Sequence, residues 1–122
     1  MSKPIIITGR PITKKNSGRI IPAGRAHRII PSKAFKDYET QALWQLKACK
    51  QRFSGAVSCQ CLYYMPNKAS WPDLIGLLQA TSDILEAAGI IDNDRNITDY
   101  DGSKIVGVDK DNPRTEVILK SS

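Results

Sequence analysis

The chain contains one histidine, three cysteines, two phenylalanines and two tryptophans. Each scarcity excludes something. Cys49, Cys59 and Cys61 are an odd number without the spacing of a metal site, which argues against a disulfide framework. With His27 as the only further soft ligand, zinc is not expected. Reduced, buried thiols are the expectation, with Cys59 and Cys61 on one face of a strand. No apolar run approaches the roughly 20 residues that span a bilayer. The opening Met1-Ser2-Lys3-Pro4 leads into a short apolar stretch that does not read as a signal peptide. These features predict no membrane partner and a cytoplasmic location. His27, between Arg25 and Arg28, is given no catalytic role.

Acidic residues are scarce in the first part of the chain. Residues 1–52 carry twelve Lys/Arg and two Asp/Glu, whereas residues 53–122 carry six Lys/Arg and ten Asp/Glu, within a net charge of +6 over 122 residues. A basic half suits phosphates, and an acidic patch suits a cation. A solvated basic surface without a partner has the same composition.

The pattern predicts one small α+β domain over residues 1–122, with two main helices on a mixed or antiparallel sheet. Ile5-Ile6-Ile7 reads as a short buried strand. Residues 19–22 and 27–30 read as a basic hairpin-like excursion. Ser32 is placed to cap a helix running to about Gln51, with Phe35, Tyr38, Ala42, Leu43, Leu46 and Cys49 near one stripe. Tyr38 and Trp44 are expected to pack rather than stack on a ligand. Residues 56–65 alternate as a strand, and residues 97–100, 104–108 and 115–119 follow as strands, the last two as a closing hairpin.

Between them lies the most structured stretch, residues 70–101. Ser70 and Asp73 have capping-box spacing, and Pro72 suits a first helical turn. Leu74, Leu77, Leu78, Thr81, Leu85 and Ala88 keep helical spacing, and Gly89 stands where a left-handed C-cap is wanted. Asp92, Asp94, Asp99 and Asp101 follow.

This layout, Asp73-Leu74-Ile75-Gly76-Leu77 and then Asp83-Ile84-Leu85-Glu86-Ala87-Ala88-Gly89-Ile90-Ile91-Asp92-Asn93-Asp94, resembles the RusA-type Holliday junction resolvases of phages and prophages. Gly9-Arg10-Pro11 followed by Lys14-Lys15-Asn16 is similar to that family's N-terminal element. The resemblance implies a RusA-like fold and a homodimer that cuts four-way DNA junctions by Mg²⁺-dependent phosphodiester hydrolysis. It implies Asp73 and Asp94 as catalytic residues and metal ligands; in a reduced site that still works, Asp92 or Asp99 supplies a further oxygen from the turn. Lys14, Lys15, Asn16, Arg19, Arg25, Arg28 and Lys68 are the expected DNA contacts.

The chain departs from the family pattern at several positions, Asn93 among them, where relatives are often acidic. Ile75 stands at the second Asp of the Asp-x-Asp pair, Gly76 at the following Asn, and Gln79 at the Lys. Asp83 lies ten positions beyond Asp73, about 15 Å along a helix, too far to complete a site with it. Three alternatives remain open on sequence: a working reduced site, a branched-DNA binder without cleavage, and an Asp73 that only caps its helix. A prophage protein-binding or regulatory module is the rival from another class.

Overall fold

A computed structural model describes residues 3–14, 19–23, 26–30 and 33–121, with the backbone alone for 19–23 and 26–30. In chain order the elements are β1 (Ile5–Thr8), β2 (Arg19–Ala23), β3 (Ala26–Ile30), α1 (Lys33–Leu46), β4 (Val57–Met65), α2 (Leu74–Ala87), a 3₁₀ turn (Asp94–Asn96), β5 (Ile97–Asp99), β6 (Lys104–Val108) and β7 (Arg114–Ser121). The predicted α+β class is observed, with two helices on a mixed five-stranded sheet.

β7 lies between β1 and β4 and is antiparallel to both. β5 and β6 pair in parallel with successive parts of β4, on its other edge. Parallel neighbours need a crossover, and α2 supplies it. β2 and β3 form a separate antiparallel pair.

Alternation along β4 sets the core. Val57, Cys59, Cys61, Tyr63 and Met65 are buried, and the residues between them are half-exposed. Ile5, Val117 and Cys61 lie in register across three strands, as do Ile7, Thr115 and Tyr63. From the helices, Ala42, Leu46, Leu77, Ile84 and Leu85 pack onto this face. Tyr63 carries its hydroxyl into the core and satisfies it against Thr81 Oγ1 at 2.7 Å. Thr81 in turn donates to Leu77 O.

Several expectations are corrected. α1 ends at Leu46 rather than near Gln51, because the next residues turn to carry Phe53 to the end of α2. There Phe53 N donates to Ile90 O, and Arg52 holds the Cys49 and Gln51 carbonyls. Cys49 therefore lies beyond the helix. Tyr38 packs as expected, its hydroxyl 3.3 Å from Thr115 Oγ1. Trp44 instead faces solvent, 68% exposed, with the Lys47 ammonium over its ring. β6 and β7 are not a hairpin: the turn after Val108 crosses the end of β4, where Asp109 N donates to Met65 O, and β7 enters the sheet on the far side. Ser32, the expected cap of α1, lies outside the described residues.

Candidate functional site

Both ends of α2 are fixed by local chemistry. Asp73, not Ser70, is the N-cap: its carboxylate accepts from Gly76 N at 2.9 Å. Ser70 has φ 49 and Pro72 precedes the helix, so the capping box read from Ser70 and Asp73 does not form. An Asp cap satisfies an unpaired helical N–H and favours the positive end of the dipole. At the other end, Gly89 adopts φ +76. Gly89 N donates to Glu86 O and Ile90 N to Leu85 O, which is the Schellman pattern, closed by the buried pair Leu85 and Ile90.

That C-cap reverses the chain and brings the acidic turn back along α2. Glu86 Oε1 accepts from Asp94 N at 2.7 Å, and Asn93 Oδ1 accepts from Arg95 N at 2.9 Å. Asp94 thereby reaches the middle of the helix. The Gln79 amide nitrogen lies 3.0 Å from Asp83 Oδ1 and 3.4 Å from Asp94 Oδ2. The other oxygen of Asp83 pairs with Lys14 Nζ at 3.2 Å.

Lys14, Asp73, Ile75, Gly76, Gln79 and Ala80 line a cavity of about 270 Å³ on this side of α2. Gly76 admits the N-terminal segment. A Cβ there would stand 3.0 Å from Thr13 Cγ2 and 3.0 Å from Asp73 Oδ1, and Thr13 is fully buried. Ile75 is 80% exposed at the rim.

Of the predicted site residues, Asp73 and Lys14 line this cavity, and Asp94 approaches it through Gln79. Asp92 is exposed on the turn. Asp99 is engaged on β4, where it accepts from Ser58 Oγ at 2.6 Å and from Asp101 N; these bonds hold its carboxyl below the usual range. Lys68 is exposed in the turn before α2. Arg19 and Arg28 lie on the backbone of the β2–β3 pair, and His27 pairs with Pro22 there. Lys15, Asn16 and Arg25 lie outside the described residues. Sequence reasoning missed the part played by Asp83 and Glu86. The spacing of Asp83 from Gln79 and of Glu86 from Asp83 was a usable sign of one shared helix face, but the Lys14 contact spans 69 positions.

Among the described residues, no group of three His, Cys, Asp or Glu is disposed to hold a metal ion. Mg²⁺, however, keeps several waters and is commonly bound by one or two carboxylates together with substrate phosphates. Asp73, on the cavity, and Asp94, beside Gln79, are hard-oxygen donors of the type that Mg²⁺ takes. No helix among the described residues is long and apolar enough to cross a membrane. No family model and no curated protein sequence matches the chain.

Proposed function

We propose that the protein is a structure-specific DNA endonuclease acting on four-way junctions, with Asp73 and Asp94 as the residues that hold Mg²⁺. The observation that carries this reading is the return of the acidic turn onto α2: Asp94 comes within 3.4 Å of Gln79, which lines the same cavity as Asp73. The C-cap of α2 thus returns Asp94, 21 positions after Asp73, to the side of Gln79, and this supports the reading.

When bound, Mg²⁺ would lower the pKa of a water and offset charge building on the phosphate. The chain's own groups have separate tasks. Asp73 fixes the start of α2. Glu86 fixes the turn that carries Asp94. The basic segments 13–19 and 23–28 hold DNA phosphates, and two such sites on two-fold DNA favour a homodimer.

A second reading, junction binding without cleavage, is favoured by one observation: the Asp73 carboxylate already serves as the helix cap. The test is Mg²⁺ cleavage of a labelled four-way junction, beside gel shifts in EDTA on junction and linear duplex. Symmetrical nicks that disappear in Asp94→Asn support the nuclease. Junction binding without nicks supports the binder, and no preference for the junction over duplex removes both readings.

A further inference from the structure

We propose that Lys14 is the phosphate-binding cation of the cleft, held there by Asp83. The proposal rests on the junction-binding reading and assigns the contact to one side chain. Four observations converge. Gln79, the long polar side chain that α2 itself places in the cavity, is neutral. Lys14 lines the same cavity from a different segment. Its ammonium is fixed from two sides, 3.2 Å from Asp83 Oδ2 and 5.7 Å from the centroid of the Phe35 ring. Asp83 also accepts from Gln79 on its other oxygen, so one carboxylate orients both side chains.

Gly76 makes the arrangement possible. With no side chain at that position, buried Thr13 packs against the first turn of α2 and delivers Lys14, the next residue, into the cleft. The absence of a side chain at 76 and the absence of charge at 79 are thus linked: the first admits a cation from the N-terminal segment, and the second leaves room for its action. The Lys14 side chain keeps 42% exposure, so its ammonium remains accessible to a phosphate while tethered. Asp83 acts through Lys14 and is a positioning residue.

The chemistry predicts a specific salt dependence. Each phosphate neutralised on duplex DNA contributes about 0.9 to the slope of log affinity against log salt. Losing one such contact lowers affinity about eightfold at 0.1 M salt by the same relation. Junction affinity is therefore measured in EDTA from low to high KCl for wild type, Lys14→Met, Lys14→Arg and Lys120→Met. Lys120 is an exposed β7 residue beside Ser58, and its substitution removes the same charge away from the cleft.

The expected result is a slope reduced by about one in Lys14→Met, near-complete recovery in Lys14→Arg, and no change in Lys120→Met. A urea midpoint for each variant separates lost contact from lost fold. Wild-type junction binding with an unchanged Lys14→Met slope, or an equal loss in Lys120→Met, overturns the assignment and leaves the junction reading standing. A wild-type protein that binds no junction overturns the reading and the assignment together.

Discussion

Gly76→Ala is the substitution that most directly tests how the cleft is built. In a solvated helix the change stabilises by about 0.8–1 kcal/mol, because alanine loses less backbone entropy than glycine. Here the new methyl meets Thr13 Cγ2 and Asp73 Oδ1 at 3.0 Å, and Asp73 Oδ2 at 3.1 Å. Thr13 is fully buried and can yield only by moving its segment. Asp73 can yield only by weakening its 2.9 Å bond to Gly76 N, and a lost Asp cap costs about 1 kcal/mol. Crowding of a packed position costs a further ~1 kcal/mol or more. The two costs exceed the gain, and the net expectation is destabilisation by about 1 kcal/mol, read as a lower urea midpoint at unchanged m. The Lys14–Asp83 contact should loosen with it, visible as a shift in the Lys14 side-chain NMR signal. A variant as stable as wild type, with that signal unmoved, would refute the close approach of residues 13–14 to α2.

Other substitutions probe different parts of the molecule. Thr81→Val should destabilise by about 1–3 kcal/mol, because it leaves the Tyr63 hydroxyl buried with only the weak Cys61 thiol beside it; Tyr63→Phe should cost about 1 kcal/mol, since Thr81 keeps Leu77 O. Equal effects in urea unfolding would contradict that asymmetry. Ile75→Asp with Gln79→Lys should raise Mg²⁺-dependent junction nicking. The exposed Ile75 position should tolerate the change within about 0.5 kcal/mol, and nicking no faster than wild type would count against the cleft as the reaction site. Asp99 has its carboxyl lowered first by Ser58 and then by the Asp101 N–H. Its stabilising effect is therefore present above the unfolded pKa and lost as pH falls through the folded one. Ser58→Ala should raise the Asp99 pKa toward its ordinary value in a carbon-detected NMR titration; an unmoved pKa would assign the shift elsewhere.

Local chemistry was the legible part of this chain. The alternation of β4, the left-handed Gly89 and the acidic turn after α2 each follow from a few neighbouring residues, and each occurs where expected. Asp73 at the head of α2 and Asp94 in the turn were legible for the same reason. What went unread depends on distant partners. The closing hairpin was inferred from adjacency, whereas β7 finds its neighbours in β1 and β4. The Ser70 capping box is the exception, a local reading that failed for a local reason, since Asp73 itself reaches Gly76 N and takes the cap. The Lys14–Asp83 pair joins segments that no periodicity connects.

The central position of β7 also orders events in time. β1 pairs with β7 through a register that joins Ile5 to Val117. As the chain is synthesised, β4, α2, β5 and β6 appear consecutively and can assemble as a parallel unit. β1, though made first, has no strand beside it until residues 114–121 exist, and its Ile5 and Ile7 must wait for the most distant partner in the sheet. Closing so long a loop is entropically costly and slow. Refolding should therefore end with β7 pairing on β4 and β1 docking on the free edge of β7, and loss of β7 would detach β1 rather than fray an edge.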